Sequence, residues 1–212
     1  MTTCGVQQDS GRWTLAGEGL RWVARGVTLL WAAQGVACGE ETGVASRAAQ
    51  ARSNELTAEY TLLFNTGQTA QAITGAEEAL AAAEEAFGAT HERVAQVLND
   101  LGHLHQAQHE PERAQLLHKR ALKIRERVFN NDGPAVVQSI NNLAKVYMAQ
   151  GRYAEAQTFF ERSLAITERH VPPTSPALIA ALEPYAAALR HNGKADAAEA
   201  IEVRIRAIRA QP

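Results

Sequence analysis

The sequence predicts an all-α solenoid of about four helix hairpins, preceded by an irregular N-terminal segment, and three observations carry that prediction. The first is a fixed period. Residues 137–169, VQSINNLAKVYMAQGRYAEAQTFFERSLAITER, are echoed 42 residues earlier by AQVLNDLGHLHQAQHEPERAQLLHKRALKIRER at 95–127. Self-similarity at such a step is the signature of a repeat architecture. The second is that the step propagates: it carries Gly151 to Gly67 and Gly193, and Ala156 to Ala72, Ala114 and Ala198. Four units, 49–90, 91–132, 133–174 and 175–212, then tile the chain without a gap. The third is that apolar residues recur at helical spacing and no segment reads as a strand.

Each unit opens with a helix. Leu56, Leu98, Ile140 and Leu182 form one apolar column, and Leu63, His105, Tyr147 and Leu189 a second. Leu101, Leu143 and Tyr185 complete the stripe, which Glu59 breaks in the first unit. Gly67, Gly151 and Gly193 suit the left-handed residue that ends a helix, with His109 standing in that column in the second unit. A second helix follows. Its alanine column, Ala72, Ala114, Ala156 and Ala198, lets two antiparallel backbones approach closely. Leu117, Ala121 and Ile124, matched by Phe159, Ser163 and Ile166, repeat every three or four residues. Pro134 and Pro176 open the third and fourth units, where the first helical turn needs no N–H donor. Pro184 falls inside a predicted helix and is expected to kink or weaken it. The last helix, about 195–210, carries Ile201, Ile205 and Ile208 on one stripe and leaves Val203 as an edge, a candidate surface for self-association. A lone hairpin cannot cover its own apolar face, so neighbours must stack.

Composition narrows the function. The 21 basic and 23 acidic residues leave a net charge of -2, which argues against nucleic-acid binding by charge alone. With 46% hydrophobic residues the chain is no disordered polyelectrolyte. Cys4 and Cys38 cannot build a disulfide framework, and no zinc-type Cys/His spacing occurs. No phosphate loop, nucleophile elbow, dinucleotide turn or Cys/His pair is present, so no enzyme and no cofactor is expected. A metal reading would use His103, His105 and His109, but they lack an HExxH frame or an acidic third ligand. His105 and His118 sit in facing aromatic columns and are expected to pack together. Lys119, Arg120, Lys123, Arg125 and Arg127 read as a solvated outer face. The first unit holds one basic and six acidic side chains, against a net +1 in each later unit. That acidity reads either as a solvated helix face, the simpler account, or as a dock for a basic partner.

Residues 1–48 do not match the repeat. Arg21 and Arg25 precede the apolar run VTLLWAAQGVA at 27–37, and small residues lead to Cys38. That order resembles a signal peptide, and GVAC resembles a lipoprotein box in which Cys38 would be lipidated and anchored to a membrane. Gly35 and the long stretch before Arg21 depart from it. The alternative is an amphipathic or disordered tail on a cytoplasmic protein; export is the slightly favoured reading.

The units SINNLAKVYMAQGRYAEAQTFFERSLAI at 139–166 and VLNDLGHLHQAQHEPERAQLLHKRALKI at 97–124 resemble tetratricopeptide repeats in the 42-residue form of kinesin light chains. The resemblance covers residues 49–212. It implies a right-handed superhelix whose concave wall, built from the first helix of each pair, holds a peptide or a partner's helix. Carried over by column, that wall comprises Gln96, Asn99, Asp100 and His103, then Gln138, Asn141, Asn142 and Lys145. The outer units add Asn54, Thr57, Ala58 and Thr61 at one end, and Ala180, Glu183 and Ala187 at the other. Asparagine both donates and accepts, so it can clamp a peptide backbone whatever its sequence. Asn99 and Asn142 could equally bond neighbouring helices. The resulting expectation is a non-enzymatic interaction module with a protein partner. The alternatives are an oligomeric subunit joined through its terminal helix faces and a metal-binding helical protein.

Overall fold

A computed structural model describes residues 47–210, which hold eight α-helices, one short 3₁₀ turn and no strand. The leader reading and Cys38 lie outside the described residues. Helix α1 covers 47–65, α2 Thr69–Phe87, α3 Glu92–Ala107 and α4 Pro111–Val128. Then come α5 Pro134–Ala149, α6 Tyr153–His170, the turn Pro176–Leu178, α7 Ile179–His191 and α8 Ala195–Arg209. Consecutive helices from α2 to α8 pack together, Tyr60 of α1 packs against α2 and α3, and α3 also touches α5. Among the described residues no helix is long and apolar enough to cross a membrane.

The turns within the hairpins share one geometry. Gly67, Gly151 and Gly193 have φ of 80°, 71° and 76°, and His109 adopts the same left-handed backbone at 60°. In each, the next residue's N–H reaches back five positions: Gln68 to the Leu63 carbonyl, Glu110 to His105, Arg152 to Tyr147, Lys194 to Leu189, all at 2.9 Å. This bond closes the last helical turn and reverses the chain. Proline opens α4 and α5, as the missing N–H allows. Helix α7 runs on through Pro184 at 13 residues, against 16 for α3 and α5.

Packing follows the alanine column: Ala72, Ala114, Ala156 and Ala198 are all fully buried. The core is shared along the stack and not confined to hairpins. Val97, Leu101 and Leu104 of α3 pack with Tyr60 of α1 and Ala72, Ala76 and Ala79 of α2. Val94 and Leu98 pack with Ala83 of α2 and with Ala121 and Ile124 of α4. Size is traded across the first two hairpins. A large Tyr60 on α1 lies against Gly75 and Ala76, whereas Gly102 on α3 faces a buried His118 on α4. A Cβ at Gly102 would fall 2.5 Å from the His118 ring.

On the second helices an ion-pair ladder repeats the same step. Arg120 bonds Glu84, Arg162 bonds Glu126 at 2.7 Å, and Arg204 bonds Glu168 at 2.5 Å. Exposed pairs of this kind contribute only about 0.2–1 kcal/mol each, so the ladder marks the register more than it sustains it. At the far end Ile205 and Ile208 are buried with Leu178, Ala181 and Leu182, while Val203 stays exposed. The groove between α7 and α8 carries two further pairs, Arg190–Glu202 and Arg209–Glu183, both at 2.6 Å.

Candidate protein-binding groove

The first helices α1, α3, α5 and α7 carry the expected wall. Gln96, His103, Gln138 and Lys145 are exposed, as are Asn54, Ala58, Thr61, Ala180, Glu183 and Ala187. Thr57, Asp100 and Asn141 are half-buried. Asn99 and Asn142 are buried, at 4% and 6% exposure.

A cleft of about 820 Å³ opens between α1 and α3. It brings together Thr57, Thr61, Gln96, Asp100 and His103, five positions that the repeat columns predict. Tyr60, Phe64, Leu104, Gln106 and Ala107 complete it, and the column reading missed all five. One signal was available: Tyr60 is the single large residue in a column otherwise occupied by Gly102, Ala144 and Ala186. Its ring is nearly buried, and its hydroxyl donates to Asp100 Oδ2 at 2.7 Å. Burial, with the Asp100 charge beside it, pushes the Tyr60 hydroxyl well above its ordinary range, so it stays a donor. Burial also raises the Asp100 carboxyl, opposed by the Tyr60 bond and by His103 and Arg125 nearby. Phe64 stays 41% exposed at the edge of the cleft.

Behind the wall runs a buried polar network. Asn99 Nδ2 donates to Ser139 Oγ at 3.2 Å, and Asn99 Oδ1 meets His118 Nδ1 at 2.9 Å. Because the amide N–H is committed to Ser139, His118 carries its proton on Nδ1 and donates. Burial, and then the neighbouring His103, lower the His118 pKa to about 4, so the ring is neutral. Arg125, read from sequence as one of an outward cluster, is instead buried at 5% exposure. Its Nε donates to Glu92 Oε1 at 3.0 Å, and Nη1 donates to Gln138 Oε1 and Ser139 Oγ at 3.0 Å each. A guanidinium with that many acceptors can be buried at tolerable cost.

The histidines also pair differently from expectation. His118 meets His103 edge-on at 5.1 Å, whereas His105 Nδ1 lies 2.8 Å from Glu110 Oε2. Among the described residues no three His, Cys, Asp or Glu side chains converge as metal ligands.

Asn141 and Asn142 differ from their counterparts one unit earlier. Asn141 Oδ1 and Asn142 Nδ2 are buried without a hydrogen-bond partner among the described residues. The register explains both. Stepping forward, Asn99's partners Ser139 and His118 become Ala181 and Phe160, which cannot bond Asn141. Asp100's donor Tyr60 becomes Gly102, which cannot bond the Asn142 side chain.

The family model described as tetratricopeptide repeat matches residues 61–127 and 130–211. The crystal structure of BtubC (BKLC) from P. vanneervenii is similar at a TM-score of 0.68 and 25% identity, over 74% of this chain and 63% of that one. This chain therefore spans less than two thirds of that relative. A kinesin-light-chain-like protein of Podosopora anserina, with nearly identical repeats, is similar at 0.67 and 22% identity, over 74% of each chain. MamA protein shares the fold at 0.53 and 18% identity, over 72% of this chain and 70% of that one. A search of curated proteins returns no match. Repeat register, shared core and family match agree: this chain belongs to the tetratricopeptide repeat family.

Proposed function

We propose that this chain is a non-enzymatic interaction module that holds an extended segment of a protein partner along α1, α3 and α5. Tetratricopeptide repeat proteins generally serve as protein-interaction scaffolds. The cleft between α1 and α3 carries the reading, because it gathers five side chains that the repeat columns assign to the wall. Gln96 offers an exposed amide to a peptide backbone, and Gln138 offers its amide N–H groups, since its oxygen accepts from Arg125. Asn99 acts at one remove, since its amide is spent on Ser139 and His118. Asn141 and Asn142 keep one unmet group each, which a side-chain rotation can turn toward a bound backbone. Assembly through the terminal face has less support, as Ile205 and Ile208 are already covered. We extend the proposal to the N-terminal segment as a membrane tether lipidated at Cys38; palmitate labelling that survives Cys38→Ser rejects the tether.

Peptides selected from a random library against the whole chain test the groove. Their affinity should fall at least tenfold in Gln96→Ala, Gln138→Ala, Lys145→Ala, all at exposed positions. It should hold in the outer-helix control Arg113→Ala, Lys123→Ala. The reverse pattern refutes the groove.

A further inference from the structure

We infer that the cleft between α1 and α3 takes a lysine or arginine side chain of the partner segment, its charge at Asp100 and its stem against Tyr60 and Phe64. The inference rests on the groove reading and names its partner more closely.

Charge complementarity is the main argument. Among the residues lining the cleft, Asp100 is the only acid, and there is no lysine or arginine. No arginine or lysine in the described residues forms an ion pair with it; Tyr60 supplies its one side-chain hydrogen bond, to Oδ2. Arg125 lies near enough to influence Asp100, but its guanidinium is spent on Glu92, Gln138 and Ser139. A half-buried carboxylate with no cation paired to it carries a desolvation cost only partly met, which a bound ammonium or guanidinium would offset. The hairpin on one side of the cleft adds a diffuse field of the same sign, with six acidic residues against one basic in 49–90.

Shape agrees with charge. Phe64 and Tyr60 offer aromatic carbon beside the carboxylate, suited to the methylene stem of a long basic side chain and to a cation near a ring face. A volume of about 820 Å³ exceeds one such side chain, so flanking apolar residues can enter against Leu104 and Ala107. The motif it implies is one basic residue between small or apolar neighbours. One step along the wall the arrangement is lost: Asn142 replaces Asp100 and Lys145 replaces His103. Recognition of the basic residue is thereby confined to the α1–α3 end.

The test uses fluorescein-labelled nonapeptides of alternating alanine and leucine with lysine, norleucine or glutamate at the centre. Norleucine keeps the stem and removes the charge. By fluorescence anisotropy the lysine peptide should bind the whole chain at least tenfold tighter than the norleucine peptide, and the glutamate peptide weakest. Asp100→Asn keeps an acceptor for Tyr60 and should erase the preference. Thr61→Lys, at an exposed position lining the cleft, should do the same by supplying an internal cation. Equal binding of lysine and norleucine, or a preference that survives both variants, overturns the inference. If that equal binding still falls in the Gln96, Gln138, Lys145 variant, the groove reading stands without its basic guest. Absence of binding by every peptide overturns the basic guest as well.

Discussion

Gly102→Ala separates two physical accounts by the sign of its effect. Helix propensity alone says that replacing glycine inside α3 stabilises the protein by about 1 kcal/mol. The structure says the opposite. A Cβ at residue 102 would stand 2.5 Å from His118 Cε1, 2.6 Å from Nε2 and 2.9 Å from Nδ1. Ordinary carbon contacts need about 3.5–4.0 Å, so the ring must retreat by about 1 Å. It has little room, being fully buried, bonded to Asn99 and set edge-on to His103. Overpacking costs about 1–3 kcal/mol, and a broken His118–Asn99 bond adds about 1–3 kcal/mol for the stranded acceptor. Against the propensity gain of about 1 kcal/mol, the net expectation is a loss of about 3 kcal/mol. Urea unfolding followed by circular dichroism measures it. His118→Ala combined with Gly102→Ala should cost about 1–2 kcal/mol less than the sum of the two single changes. A Gly102→Ala protein more stable than the parent refutes the packing argument.

Acid should weaken the fold through His118. Its pKa is lowered to about 4 from an ordinary 6.5, so its contribution is full above pH 6.5 and lost as pH falls toward 4, by at most about 3 kcal/mol. Melting temperatures between pH 7 and 4.5 should fall less steeply in His118→Gln, and equal slopes reject the assignment. His109→Gly should stabilise by about 0.5–1 kcal/mol, because the left-handed turn at φ 60° strains a side chain that Gly67, Gly151 and Gly193 avoid; a lower urea midpoint would contradict this. Asn142→Leu should stabilise by about 1–3 kcal/mol by removing a buried donor without a partner, and it should weaken peptide binding. A destabilised variant there would show that the amide is satisfied in solution.

Much of the architecture was legible because the step of 42 repeats backbone requirements and not only composition. A left-handed residue recurs at 67, 109, 151 and 193, and the column even located the turn at His109, which carries no glycine. The alanines at 72, 114, 156 and 198 are fully buried, and small size is all that position needs. The site was legible in part. Its wall positions follow from register, and five of them meet in the cleft. What fills the cleft did not follow, because Tyr60 and Phe64 depart from the columns that were followed. Arg125 misled for a related reason. Alternation along α4 places it among solvated cations, but Glu92 on α3 and Gln138 and Ser139 on α5 enclose it. Partners on two other helices are invisible to a pattern read along one. His118 was likewise assigned to His105, when the groove-side His103 and Asn99 hold it.

Hydrogen exchange of the whole chain, with and without a library-selected peptide, tests the central claim most directly. Peptide should slow exchange in α1, α3 and α5, the helices that form the proposed wall, and leave the outward side of α2, α4 and α6 unchanged. Protection centred on those second helices instead, with the first helices unaffected, would contradict a partner-binding groove.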